Sequence, residues 1–186
     1  MLVLASASPR REELLRNAGI EFTVQPAHIP ETPRENENPR AYAERLAREK
    51  AQTVFRQRPK DIVLGADTVV IVDAAILEKP ADSGDARRML RLLSGRSHFV
   101  TTGVCLTASD FEDVRSETTL VTMESINEGD IESYISTKEP MDKAGAYAIQ
   151  GVASRWILRI EGDYTNVVGL PVALVYRMLR AHRVVG

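Results

Sequence analysis

Three short segments and three separate residues of this chain offer the hydroxyls, cations and isolated carboxylates that could do chemistry. In Ser6-Ala7-Ser8-Pro9-Arg10-Arg11, hydroxyls and two guanidinium groups meet the amides that open a helical pattern. A phosphate would be held there by amides and forked donors; an ordinary capped helix with solvated arginines is the plainer alternative. Gly65-Ala66-Asp67-Thr68 sets an aspartate inside an otherwise apolar run. An ionised carboxylate is costly to bury, so Asp67 requires a cation, hydrogen-bond donors or a metal; a buried salt bridge or an earlier strand end would also account for it. Lys50 and Lys79 are candidate phosphate cations and Glu31 a candidate metal carboxylate, although each taken alone reads first as a solvated side chain. Finally, Asp142-Lys143-Ala144-Gly145-Ala146-Tyr147-Ala148-Ile149-Gln150-Gly151 has two glycines that permit tight turning, and Gln150 offers the paired donor and acceptor that suit a base edge.

These residues need elements to place them. Met1 to Ala5 reads as a first strand, too short and too lacking in a basic leader to be a secretory signal. Pro9 to Ala18 has the spacing of an amphipathic helix, with Ser8 as its cap, Pro9 at its first position and Gly19 as its left-handed stop. A strand over Glu21 to Gln25, a surface loop over Pro26 to Pro39 and a helix from about Arg40 to Arg56 follow. Ile62 to Val72 is β-branched and apolar on both faces, the pattern of a central strand; a turn at Asp73 leads into Ile76-Leu77. Ser83 or Asp82 caps a helix ending near Gly95, and His98 to Ala108 with Val114 to Ser125 form a hairpin turning at Ser109-Asp110. A capped helix over Asn127 to Ser136, strands at Tyr147 to Ile149 and Arg155 to Ile160, and a helix over Leu170 to His182 complete the chain; Tyr164 to Pro171 reads as a loop and helix start. Alternating helices and strands with one hairpin predict an α/β fold with a mixed central sheet flanked by helices.

At 186 residues the chain suits one domain, 1–186, able to bury roughly 70% of its unfolded surface. With 44% apolar and 27% charged residues it falls outside the disordered and collagen-like classes. Its 24 Lys and Arg against 26 Asp and Glu give −2, so no global basic field attracts a nucleic-acid polymer or an anionic membrane, and an anionic ligand must meet a local cluster. The most apolar run is too short to span a bilayer. Cys105 cannot form an internal disulfide, and three scattered histidines do not make a zinc site; a reducing cytoplasm fits this usage. Cys105 sits in an apolar strand pattern and reads as a small core residue. Phosphate loops with a Gly-Lys-Ser/Thr ending, dinucleotide fingerprints and nucleophile elbows are missing from the sequence.

Four separated motifs, the Ser-x-Ser-Pro-Arg-Arg turn, Gly-Ala-Asp-Thr-Val-Val, Asp-Lys-Ala-Gly-Ala-Tyr-x-Ile-Gln-Gly and Asn-Val-Val-Gly-Leu-Pro, occur here in that order. In this the chain resembles the Maf family of nucleoside triphosphate pyrophosphatases over nearly its whole length, with the Maf/inosine-triphosphatase-like fold implied. The third motif, preceded by Pro140-Met141, is similar to the branch that hydrolyses dTTP and UTP rather than the branch that cleaves 7-methyl-GTP. The resemblance implies a cytoplasmic house-cleaning enzyme, a homodimer, that splits the bond between the α and β phosphates with the help of Mg²⁺ or Mn²⁺. Modified uridine triphosphates are further substrates that it leaves open. By position, Asp67 matches the family's proton acceptor, and Arg10, Thr68 and Gln150 match positions linked to substrate choice. Ser6, Arg11, Glu31, Lys50 and Lys79 match polar positions lining the site, and Ser8 and Lys143, within the same motifs, are grouped with them. Asp67 and Glu31 would hold the metal. Two positions depart from the family's usual residues: Pro30 stands where an aspartate precedes Glu31, and Glu78 where a glycine precedes Lys79.

Two other readings use the same phosphate turn: a non-catalytic nucleotide-binding regulator of septum formation, and a phosphohydrolase releasing orthophosphate. A pure binder of polyanions gains nothing from a buried carboxylate, whereas a hydrolase needs one, so Asp67 separates the first from an enzyme. Product identity separates the second.

Overall fold

The computed structural model describes residues 1–185. Its sheet has seven strands, β1 (Leu2–Leu4), β2 (Thr23–Val24), β3 (Ile62–Val72), β4 (Ala75–Leu77), β5 (Ser97–Thr107), β6 (Glu112–Met123) and β7 (Ile157–Glu161). They are ordered β2-β1-β3-β5-β6-β7, with β4 on β3. Helices α1 (Pro9–Asn17), α2 (Pro39–Phe55), α3 (Ser83–Leu93), α4 (Glu128–Ser136), α5 (Tyr164–Val168) and α6 (Val172–Ala181) flank it. The expected mixed α/β architecture is therefore present: β1 pairs parallel with β2 and β3, β4 pairs antiparallel with β3 across a tight turn, and β7 pairs antiparallel with β6 after the long connection that carries α4. At the β3–β4 turn Asp73 and Ala74 both take left-handed backbone, with φ 47° and 64°, the two-residue geometry that matches strand twist.

The chain forms two compact units. The first comprises Met1–Thr68, Thr102–Glu117 and Gly169 onward; the second comprises Val69–Thr101 and Thr118–Val168. In the first, β3 alternates its side chains between two faces. Leu64 and Ala66 join Leu15 of α1 and Leu174, Val175 and Met178 of α6, while Val63 joins Ala47, Ala51 and Val54 of α2. Helix α2 lies unusually close to the sheet because two strand residues lack a side chain. A Cβ on Gly65 would stand 2.1 Å from the Ala47 carbonyl oxygen, and one on Gly103 2.4 Å from that of Ala43. Ala43, Ala47 and Ala51, four residues apart on the helix, provide the matching narrow stripe.

The second unit packs α3, α4 and three short 3₁₀ segments (Glu139–Asp142, Ala144–Ala146 and Val152–Trp156) around Leu90, Leu93, Tyr134, Tyr147 and Trp156. Here two sequence expectations give way. Tyr147 to Ile149 is not a strand, because Gly145 (φ 70°) and Ala146 (φ 60°) turn the chain just before it and no ladder partner is reached. The last strand starts at Ile157, since Val152–Trp156 winds as 3₁₀ helix. Tyr164–Val168, expected as a loop, closes as α5 because the Asp163 carboxylate accepts from the Thr165 and Asn166 amides. Among the described residues, no helix is long and apolar enough to cross a membrane.

Candidate active site

Strand β1 ends at Leu4, and the Ala5 amide donates to the Leu64 carbonyl 2.8 Å away, so the turn after β1 lies beside the stretch of β3 that carries Asp67. Such carboxyl ends of parallel strands are where α/β folds bind ligands. Helix α1 leaves this turn with Ser8 at the cap position, but the Ser8 hydroxyl caps no amide, contrary to expectation. Instead the Ser8 amide donates to Ser6 Oγ at 3.1 Å, and the helix begins without a side-chain cap. Its C-terminus behaves as expected: Gly19 is left-handed, with φ 67°, and the Ile20 amide reaches back to Leu15.

Asp67 shares the β3 face of Val63 and Gly65, the one covered by α2, and it is buried. Lys50, three turns along α2 from the Asn38 cap, places Nζ 2.6 Å from Asp67 Oδ1 and 2.7 Å from Glu31 Oε1. The glycine slot at Gly65 makes this reach possible, because it seats α2 against the backbone just before Asp67. Glu31 comes from the loop before α2 and is more open, with 39% of its side chain exposed. Burial pushes the Asp67 carboxyl above the ordinary carboxylate range, and the charges of Lys50 and Arg11 pull against that rise.

Thr68, on the opposite face, belongs with Arg11. The Arg11 guanidinium donates through Nε to the Gly169 carbonyl (2.8 Å) and through Nη2 to Thr68 Oγ1 (3.0 Å). Its Nη1 donates to the Ala66 carbonyl (2.9 Å) and to Ser6 Oγ (3.3 Å). Arg11 thus grips the residues on both sides of Asp67, which makes it a brace as well as a charge. Burial pushes its pKa down, with Asp67 acting in the opposite sense. Thr68 Oγ1 also lies 2.9 Å from Thr102 Oγ1. Thr102 and the Gly169 carbonyl were not singled out from the sequence; the glycine of the fourth motif was the available signal, and the structure gives it φ 130°.

The first unit therefore brings together Ser6, Ser8, Arg11, Glu31, Lys50, Asp67 and Thr68, and Arg10 is half-buried on the first turn of α1. Lys79, Lys143 and Gln150 belong to the second unit. Lys79 is exposed after β4; Lys143 Nζ donates to the Glu139 carbonyl (2.7 Å) and pairs with Asp142 (2.6 Å); Gln150 is exposed on a turn. Cys105 is buried with its thiol pushed up to about 11, the inert core residue expected.

Two carboxylates converging on one Nζ fit a divalent cation in kind, since Mg²⁺ is commonly held by one or two carboxylates together with substrate phosphates. Among the described residues no group of three or more His, Cys, Asp or Glu offers a full protein cage.

Residues 1–182 match the family described as Maf-like protein. The dTTP/UTP pyrophosphatase of Koribacter versatilis is 60% identical over 96% of this chain and 93% of its own. Proteins of the same name from Symbiobacterium thermophilum (51% identical; 96% of this chain, 92% of its own) and Acholeplasma laidlawii (45%; 100% and 98%) are also similar. Among solved structures, a HAM1 protein from Coxiella burnetii has a TM-score of 0.45 at 20% identity, covering 80% of this chain and 87% of that one.

Proposed function

We propose that this chain, which belongs to the Maf-like protein family, hydrolyses dTTP and UTP to the nucleoside monophosphate and pyrophosphate. The observation that carries this reading is the 60% identity to a dTTP/UTP pyrophosphatase across 96% of the chain. A buried carboxylate at Asp67 agrees with it and gives no advantage to a protein that only binds polyanions, so an enzyme is favoured over a regulator.

In the mechanism we assign, water attacks the α-phosphorus and Asp67 takes its proton. Lys50 occupies Oδ1, which fixes the carboxylate's rotation and assigns the proton to Oδ2. Burial raises the Asp67 pKa and so strengthens it as a base relative to an exposed aspartate, while the charges of Lys50 and Arg11 favour its ionised form. Charge moves onto the leaving pyrophosphate as the bond breaks. Arg10, Lys50 and Lys79 are the cations assigned to that charge, with Lys143 and the Ser6 and Ser8 hydroxyls as further phosphate contacts. The start of α1, without a side-chain cap, suits a phosphate oxygen. Asp67 and Glu31 would hold Mg²⁺ or Mn²⁺, which when bound neutralises phosphate charge and polarises the reacting phosphorus. Pro30 leaves Glu31 as the single carboxylate of its dipeptide.

Gln150 is assigned to the base. Its amide can donate to O4 and accept from N3–H of uracil or thymine, a pattern that cytosine inverts. With Thr68 and Arg10 it forms the set to which we attribute substrate choice. We place the reaction in the cytoplasm and expect a homodimer. The test is a panel of canonical and modified nucleoside triphosphates, with Mg²⁺ or Mn²⁺, resolving monophosphate, pyrophosphate and orthophosphate. Pyrophosphate from dTTP and UTP is expected. Orthophosphate as the first product, or no turnover with binding retained, would refute the assignment.

A further inference from the structure

Gln150 lies between Tyr147 and Val152, in a stretch with no helix or strand ladder to hold it. A turn bond from the Gly151 amide to the Ala148 carbonyl (3.1 Å) closes it, and one acid and one phenol tie that turn to the fold. The Ala148 amide donates to the Tyr134 hydroxyl at 3.3 Å, and the Val152 amide donates to the Glu139 carboxylate at 3.2 and 3.4 Å. Tyr134 in turn donates its proton to Glu139 Oε1 at 2.9 Å, so the two ends of the loop are tied through a single side-chain pair. The hydroxyl has one proton to give and a lone pair to accept with, and both are used.

The pair itself is fixed. Tyr134 is buried on α4, with its ring edge against Trp156 at 5.4 Å between centroids. The Glu139 carboxylate occupies the space beside Gly151, where a Cβ would stand 1.9 Å from Oε1. Gly151 has φ −101°, which alanine adopts readily, so this glycine makes room for the carboxylate and not for the backbone. At the loop's start the Tyr147 hydroxyl lies 2.7 Å from His98 Nε2 in the core.

We propose that Tyr134 and Glu139 are positioning residues for base selection: they clamp the 148–152 backbone so that Gln150 leaves the chain at one position and in one direction toward the pyrimidine edge. This rests on the assignment of Gln150 to the base. On an unclamped turn the backbone that carries Gln150 would have to be ordered on meeting each base, and its amide could approach from positions that favour uracil less over cytosine.

The experiment compares kcat/KM for UTP and CTP in the intact protein and in Gln150→Ala, Tyr134→Phe, Glu139→Ala, Glu139→Gln and Gly151→Ala, each checked for native near-UV circular dichroism. Tyr134→Phe, Glu139→Ala and Gly151→Ala should each lower the UTP-to-CTP ratio about tenfold, mainly through KM for UTP, while Glu139→Gln, whose amide oxygen still accepts, retains most of it. Gly151→Ala added to Glu139→Ala should change nothing further, because the carboxylate it displaces is already gone. A ratio that collapses in Gln150→Ala but survives in Tyr134→Phe and Glu139→Ala overturns the clamp and leaves the Gln150 assignment standing. Equal turnover of UTP and CTP by the wild type, or an unchanged ratio in Gln150→Ala, overturns both. Should Glu139→Ala fail to fold, Gly151→Ala and amide hydrogen exchange of Ala148 in Tyr134→Phe decide: unchanged selectivity and undiminished protection contradict the proposal.

Discussion

At the scale of single residues, Asp67 and Lys50 form one unit. Removing the carboxylate as Asp67→Asn keeps the shape but deprives water of its base, and kcat/KM for UTP should fall about 10²- to 10⁴-fold by steady-state assay. Lys50→Met should lower activity as well, and it should destabilise the fold, because Asp67 would be left buried beside Arg11 without its hydrogen-bond donor. A second buried group makes a different prediction. His98 is held neutral by burial, its pKa pushed down to about 4 from 6.5. Below pH 6.5 the unfolded chain takes a proton that the folded chain refuses until pH nears 4. The stability contributed by this residue is whole above pH 6.5 and lost as pH falls through that window, about 3 kcal/mol at most. Urea unfolding between pH 7 and 4 should show this loss in the wild type and a flatter profile in His98→Gln.

At the scale of elements, what matters is how closely α2 approaches the sheet. Gly65→Ala would drive a methyl into the Ala47 carbonyl; it should cost about 1–3 kcal/mol and also depress kcat, since Lys50 moves with the helix. Gly19→Ala meets no atom within 4 Å and is strained only by its φ of 67°, so it should cost about 1 kcal/mol with kcat unchanged. Denaturation and steady-state assays on the two variants separate these effects. The elements were legible wherever one periodicity dominated: β3 runs from Ile62 to Val72, as its β-branched run predicts, and Asn127 and Asp82 cap the helices that follow them. Legibility failed where one residue's backbone overrode a run of side chains. Tyr147 to Ile149 has the composition of a strand, and Tyr147 is extended (φ −149°, ψ 159°), but the left-handed pair before it and the burial of the Tyr147 ring against His98 leave the segment without a ladder partner. Ser8 takes the extended backbone of a cap (φ −78°, ψ 114°), but its hydroxyl accepts from no helix amide, and sequence order does not show which way a hydroxyl turns.

At the scale of the molecule, candidate site residues come from both compact units: Ser6 to Thr68 from the first, and Lys79, Lys143 and Gln150 from the second. Asp67 was marked by its charge in an apolar run, and the structure shows its partners to be Lys50 and, through Ala66 and Thr68, Arg11. That Lys50 would reach Asp67 rather than solvent was invisible without knowing that Gly65 and Gly103 let α2 sink against β3 and β5. The reaction we propose is attack by water on the α-phosphorus with Asp67 as base, and the most direct test is turnover of UTP in ¹⁸O-labelled water followed by mass spectrometry of both products. We expect one ¹⁸O in the monophosphate, none in the pyrophosphate, and no labelled product above background from Asp67→Asn; label in the pyrophosphate, or undiminished labelling in the variant, would contradict the mechanism.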